Sequence, residues 1–152
     1  MYSGLVFLHS IWRWAVLISL VCSIATGFHG LYSRRIFGRW DNAARHWTAT
    51  IAHIQLVLGI MLYTQSPLVK IYWRQIGGGG AVPDILFFAV IHALLMLGAI
   101  VLITVGSALA KRRPTNEESF RTMAVYFTIA LILIIISIPW PFSPLAQRPL
   151  FP

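Results

Sequence analysis

Two histidines lie inside apolar segments of the sequence, and they are the first residues whose type and placement could do chemistry. His53 is followed by five mostly aliphatic residues and a glycine, and the same pattern follows His92. An ionisable residue inside a bilayer is costly and usually has a partner or a function there. Neutral imidazole is a common axial ligand of haem iron, and two imidazoles facing each other from different helices can hold one haem. A shared haem site is therefore our first hypothesis for this pair.

His9 is a second candidate partner for His92. With a rise of about 1.5 Å per residue, His53 lies roughly 15 Å and His92 roughly 12 Å from the outer ends of their predicted helices. His9 is almost level with His92 when Tyr2 and Asp84 are taken as the outer ends of their helices. Two ligand pairs therefore stay open, His53 with His92 and His9 with His92.

Arg13 follows His9 by four residues, so it lies on the same helical face, between Trp12 and Trp14. An arginine one or two turns inside a span is costly unless it reaches the headgroups or pairs with an anion. No acidic residue lies inside an apolar run of this sequence. A haem propionate would suit Arg13, because arginine binds carboxylates with two parallel hydrogen bonds. The alternative is an arginine that extends to the interface between two tryptophans.

The composition predicts an integral membrane protein. Of the 152 residues, 58% are hydrophobic and only 11% are charged, against about 25% charged in a soluble domain. The net charge of +8 comes from basic residues in short loops, which indicates membrane topology and argues against nucleic-acid binding. The single cysteine excludes an intrachain disulfide. Common hydrolase and metalloprotease motifs are absent, so we expect an electron-transfer protein more than a stand-alone enzyme.

Four apolar runs predict four transmembrane helices, because each meets or approaches the roughly 20 residues that span a bilayer and backbone groups in lipid must pair internally. The expected fold class is all-α, an integral membrane four-helix bundle of up-down-up-down topology that forms a single domain over residues 1–152. The predicted helices cover about residues 5–28, 44–63, 85–110 and 122–138, with an outer loop at 64–84 and a Pro-rich, non-helical tail at 139–152. Within the outer loop, residues 67–74 are expected to form a short interfacial helix.

The loop charges predict the orientation. Eight basic residues lie in or beside the first and third connections, namely Arg34, Arg35, Arg39, Arg45, Lys111, Arg112, Arg113 and Arg121. By the positive-inside rule these connections face the cytoplasm, and both termini face the periplasm. The N-terminus has no basic region ahead of its apolar run, so we expect the first segment to be a span and not a cleaved signal. His29 and His46 then lie at the cytoplasmic edge, as a second haem site or, as we favour, as interfacial histidines.

Several motifs distributed along the chain have the pattern of a known group of proteins. They are Leu8-His9-Ser10 with Arg13-Trp14, His53-Ile54-Gln55-Leu56 with Gly59 and Leu62-Tyr63, Ser66-Pro67, His92 with Met96, Ile103-Thr104-Val105-Gly106 before Lys111-Arg112, and Ile138-Pro139-Trp140-Pro141-Phe142. In these the chain resembles, nearly end to end, a family of small four-helix membrane proteins of Bacteroidetes-type bacteria commonly labelled "cytochrome B". The resemblance implies His9, Arg13, His53 and His92 as the site residues and the bacterial inner membrane as the location.

The leading hypothesis is a membrane b-type cytochrome that binds one haem b between helices. His92 would be one ligand, His53 or His9 the other, and Arg13 would meet a propionate. Such a protein would pass single electrons, for example from a quinol, within a larger respiratory membrane complex. Two alternatives stay open. One is a non-catalytic accessory subunit whose histidines bond between helices, and the other is a haem-free metal or quinone site that uses His9, His53 and His92 together.

Overall fold

The structure, a computed structural model, describes residues 2–75, 83–143 and 146–149. Four long helices dominate the described chain, and each is long and apolar enough to cross a membrane. The helices are α1 (Tyr2–Ser33), α2 (Arg39–Gln65), the short α3 (Pro67–Gln75), α4 (83–112) and α5 (Asn116–Ser137). Helix α4 begins as Pro83–Leu86, passes through a π-helical turn over Phe87–Ile91 and continues as His92–Arg112. The predicted all-α fold class is confirmed.

Helix α5 begins six residues before the predicted start at residue 122. The Thr115 side chain accepts a hydrogen bond from the Glu118 backbone N–H at 3.2 Å, and Glu117 and Glu118 occupy the first turn. A threonine cap and acidic residues in the first turn both stabilise a helix N-terminus. The prediction was short because it followed only the apolar residues, whereas the cap extends the helix through a polar turn.

The connection between α2 and α4 contains the expected short helix, since α3 covers residues 67–75. Val69 is the buried residue of this helix. The rest of that predicted loop between residues 76 and 82 lies outside the described residues, as do 144–145 and 150–152 of the predicted tail. Residues 139–143 are not helical, as the prolines predict.

The four long helices form a ring in which α1 contacts α2 and α5, and α4 contacts the same two helices. Helices α1 and α4 are therefore diagonal across the bundle. The N-terminus of α1 and the C-terminus of α5 lie at one end, which we call the terminal end, and the arginine-rich connections lie at the opposite, basic end. Fully buried residues from several helices form the core between them, including Leu20, Ile103, Met123, Phe127 and Ala130.

Large apolar side chains also cover the outside of the bundle. Ile18, Leu94, Val101 and Ile132 are all more than half exposed. Apolar exteriors of this kind suit contact with lipid and would be unfavourable in water. The chain is thus compatible with a multi-pass membrane protein.

Close helix contact depends on glycine where α4 meets α5. A Cβ atom added at Gly106 would lie 2.4 Å from the Cβ of Tyr126. Small residues at such crossings let helix backbones approach in membranes, where packing and not water exclusion drives association.

Polar contacts join the helices at the basic end. Arg45 is only 7% exposed, and its Nη1 lies 3.3 Å from both the carbonyl and the hydroxyl oxygen of Ser107. The Ser107 hydroxyl donates back to the Arg45 carbonyl at 3.2 Å. Asp41, buried beside this end of α2, accepts from Arg35 and from the Gly38 backbone N–H. The bonds between Arg45 and Ser107 tie α2 to α4, and those of Asp41 hold the start of α2 against the connection that precedes it.

Candidate histidine site

The structure brings His9 and His92 together across the bundle diagonal. His9 comes from α1 and His92 from α4, and their ring centroids lie 6.5 Å apart with an angle of 65° between the ring planes. Both side chains are partly buried near the terminal end of the bundle. Of the two predicted pairs, this is the one that the fold assembles.

His92 is oriented by the end of the neighbouring helix α5. Its Nδ1 lies 2.8 Å from the carbonyl oxygen of Ser137, the last residue of α5. A carbonyl only accepts, so Nδ1 carries the proton and Nε2 of neutral His92 keeps its lone pair. The Ser137 carbonyl is available because the last carbonyls of a helix have no partner within it. The donor four residues on would be Pro141, which has no N–H.

A second carbonyl near the end of α5, two residues before Ser137, likewise lacks a helical donor because a proline follows it by four residues. The carbonyl of Ile135, four residues before Pro139, accepts from the Trp140 indole N–H at 2.9 Å. Trp140 in turn lies against Arg13, whose guanidinium carbon is 5.9 Å from the Trp140 ring and 5.5 Å from the Trp14 ring. The proline-interrupted tail therefore brings an aromatic side chain to the arginine that lies one helical turn after His9.

His9 is held by Gln55 of α2. The amide nitrogen of Gln55 donates to the His9 carbonyl at 3.0 Å and lies 3.3 Å from His9 Nε2. Because an amide nitrogen only donates, Nε2 accepts and the proton of neutral His9 is on Nδ1. Within the described part of the chain, His9 Nδ1 and Gln55 Oε1 are buried without a hydrogen-bond partner. Buried polar atoms are normally paired, so these two atoms mark a place suited to a further polar group or ligand.

The π-helical turn of α4 surrounds His92 with aromatic rings. The His92 backbone N–H donates to the Phe87 carbonyl, an i→i+5 bond. In an α-helix, residues five apart point about 140° away from each other, whereas this wider turn brings Phe87 beside the imidazole. Phe88 precedes His92 by four residues and lies on the face of His92 in an ordinary helix as well. The ring centroids of Phe87 and Phe88 lie 5.8 Å and 6.2 Å from that of His92. Single π-turns inside helices are frequent at functional sites.

A second helix supports this turn from outside. The Tyr63 hydroxyl of α2 donates to the Ala89 carbonyl, inside the π-turn, at 2.9 Å. The Trp73 indole N–H of α3 donates to the Tyr63 oxygen at 3.1 Å. A chain of two hydrogen bonds therefore joins the short helix α3 to the turn that precedes His92.

His53 lies away from this cluster. Its Nε2 is 3.0 Å from the Thr104 hydroxyl oxygen, and that hydroxyl donates to the Ile100 carbonyl, so His53 is the donor to Thr104. Thr104 follows His92 by twelve residues in α4, a displacement of about 18 Å along the helix axis. The expectation that His53 and His92 are level does not match this geometry, because Tyr63 near the end of α2 contacts Ala89 and not Asp84. Helix α4 thus extends beyond the end of α2.

The remaining histidines are exposed at the basic end of the bundle. His29 is exposed on α1, and His46 is exposed on α2 with its ring centroid 6.0 Å from that of Trp47. Within residues 2–75, 83–143 and 146–149, no three His, Cys, Asp or Glu side chains are grouped to hold a metal ion. The site is thus a histidine pair and not the three-histidine cluster considered from the sequence.

Two members of the site could not be identified from residue types. The Ser137 group that orients His92 is a backbone carbonyl, although Pro141 four residues later signals that it lacks a helical partner. The role of Tyr63 depends on the π-turn, and the apolar sequence of that turn predicts only an ordinary α-helix. Gln55, by contrast, stands out as a polar residue inside an apolar run.

No protein-family model matches the chain, and neither a curated protein nor a solved structure is significantly similar to it.

Proposed function

We propose that the protein is a membrane b-type cytochrome-like electron carrier that binds one haem b between α1 and α4, with His9 and His92 as the residues that would hold the iron. The observation that carries the proposal is the histidine pair across the bundle diagonal, 6.5 Å between centroids. Two imidazoles that shared one metal ion, each through a metal–nitrogen bond of about 2 Å and with about 1 Å from that nitrogen to its ring centre, would have ring centres about 6 Å apart. The donor set therefore suits a bis-histidine haem.

The two ligands have different surroundings. A metal-binding histidine usually donates its second N–H to a carbonyl or carboxylate, which fixes the ring and its tautomer. His92 already donates Nδ1–H to Ser137, so its Nε2 would be the ligating atom. At His9, a metal on Nε2 would replace the contact with the Gln55 amide, which keeps its bond to the His9 carbonyl.

Arg13 would complete the site as the partner of a haem carboxylate. It lies one turn after His9 toward the bundle interior, with its guanidinium carbon 5.5 Å from the Trp14 ring centre and 5.9 Å from that of Trp140. Arginine forms strong paired hydrogen bonds with carboxylates. The haem supplies single-electron chemistry, while the protein supplies ligation, burial and orientation.

We further propose that the protein resides in the bacterial inner membrane with both termini in the periplasm, and that it exchanges electrons with a quinol or within a larger respiratory complex. The support for this orientation is the concentration of arginine and lysine in the two connections at the basic end. The histidine site would then lie toward the periplasmic side.

The visible spectrum of the dithionite-reduced, purified protein tests the proposal, with haem supplied during expression. We expect split α and β bands in the wild type, and their loss in His9→Gln and in His92→Gln. His53→Gln is the matched control, because its ring bonds to Thr104 and not to the pair; it should retain the bands. A wild-type protein without these bands, or a His92→Gln variant that keeps them, would overturn the proposal.

A second candidate function is a haem-free accessory subunit, and one observation favours it. His9, His53 and His92 each have a hydrogen-bond partner on another helix, namely Gln55, Thr104 and the Ser137 carbonyl. Bonds of this kind stabilise helix association without any cofactor. In that case the His53→Gln and His92→Gln variants would assemble normally and bind no haem. Metal analysis and quinone extraction of the same preparation separate this function from a haem-free metal or quinone site.

A further inference from the structure

We infer that Tyr63 is a positioning residue for His92, and that it acts by holding the π-helical turn of α4. The inference concerns the orientation of the imidazole itself. Only its consequence for haem binding rests on the proposed function.

The first step of the argument is the carbonyl that Tyr63 binds. Ala89 lies in the middle of the π-turn and is only 3% exposed. A turn with i→i+5 bonds interrupts the i→i+4 ladder, so its carbonyls can accept a bond from another group. The Tyr63 hydroxyl donates to Ala89 at 2.9 Å. A buried carbonyl that loses such a donor is unsatisfied, which disfavours the conformation that needs the donor.

The second step is that the turn determines what surrounds His92. Phe87 is 1% exposed, and both Phe87 and Phe88 contact the imidazole. After relaxation of the π-turn to α-helix, Phe87 and His92 would point about 140° away from each other. The imidazole of His92 would then have a different orientation relative to the Ser137 carbonyl that its Nδ1–H group binds. Tyr63 thus affects His92 through the backbone, without touching it.

The third step concerns the Tyr63 hydroxyl, which both donates and accepts. The Trp73 indole N–H holds the phenolic oxygen at 3.1 Å, so the hydroxyl proton is directed to Ala89. Chains of hydrogen bonds polarise and strengthen one another. Trp73 is 56% exposed on α3, which places the start of the chain at the surface of the terminal end.

The test uses the full-length protein in lipid nanodiscs without added haem. Tyr63→Phe removes only the hydroxyl group, and Trp73→Phe removes the donor to it. Tyr72→Phe is the matched control: Tyr72 is also on the terminal side, and its hydroxyl has no hydrogen bond to another described residue. The readouts are the ¹⁵N and ¹H signals of the His92 Nδ1–H group in histidine-labelled protein, and amide hydrogen exchange over residues 87–92.

Tyr63→Phe should shift or broaden the His92 Nδ1–H signal and raise amide exchange in the turn about two- to tenfold, the loss expected for one hydrogen bond. Trp73→Phe should change both in the same direction by less, and Tyr72→Phe should change neither. A Tyr63→Phe variant with lower thermal stability but an unchanged His92 signal would overturn the inference, because Tyr63 would then be only structural.

The consequence for the cofactor is measured separately. In haem-loaded protein, Tyr63→Phe should increase the haem dissociation rate about two- to tenfold. If no haem binds to the wild type, the proposed function fails while the signal of His92 in the haem-free protein still decides the role of Tyr63. If haem binds and the Tyr63→Phe variant matches the wild type in all three readouts, only the positioning role fails.

Discussion

Replacement of Gly106 by alanine tests whether the close contact between α4 and α5 holds the bundle together. The added Cβ would lie 2.4 Å from the Cβ and 2.9 Å from the Cγ of Tyr126. Carbon atoms in ordinary contact are about 3.5–4.0 Å apart, so the shortfall is roughly 1 Å. The Tyr126 Cβ is bonded directly to the α5 backbone and cannot rotate away, so the helices themselves must separate.

The magnitude follows from comparison with Gly98, which is on the same helix. A Cβ at Gly98 would have no other heavy atom within 4 Å, so Gly98→Ala carries only the change in helix propensity, about 1 kcal/mol in favour of alanine. The propensity change cancels between the two variants. Overpacking a tight contact costs about 1–3 kcal/mol, so we expect Gly106→Ala to be less stable than Gly98→Ala by about 2 kcal/mol.

The assay is reversible unfolding in bicelles, followed by circular dichroism as SDS is added. Both variants and the wild type are compared at one protein and lipid concentration. Equal stability of Gly106→Ala and Gly98→Ala would refute the reasoning, since it would mean that α4 and α5 do not approach as closely at Gly106 as the structure has them.

Three further substitutions test other contacts. His53→Gln should lower the free energy of unfolding by only about 0.6 kcal/mol, the mean for a side-chain hydrogen bond between membrane helices, as measured by the same SDS titration. Asp41→Asn should cost more, about 1–3 kcal/mol, because the buried carboxylate accepts charge-assisted bonds from Arg35 at the start of α2; thermal unfolding that matches the wild type would contradict this. Arg148→Gln removes a half-exposed ion pair with Asp84 and should change the free energy of unfolding by less than about 1 kcal/mol. Since salt screens an exposed ion pair, the part of the stability that this pair contributes, and its dependence on salt, should both be absent from the variant.

The sequence predicted the helices more accurately than the distances between their residues. The apolar runs were sufficient to place four spans, because the length and hydrophobicity needed to cross a bilayer are properties of one segment at a time. Helix ends were less accurate. The start of α5 depends on the Thr115 cap, and the extension of α4 beyond α2 depends on the contact of Tyr63 with Ala89.

For the candidate site, the sequence by itself determined the residues but not the pair. It identified His9, His53 and His92 as histidines inside apolar helices, and it predicted an up-down-up-down bundle. Which partner faces His92 depends on the relative shift of packed helices. That shift is set by contacts such as Arg45 with Ser107 and Tyr63 with Ala89, which join residues far apart in the chain. Only the tertiary structure brings these groups together, so only it separates His9, beside His92, from His53, beside Thr104.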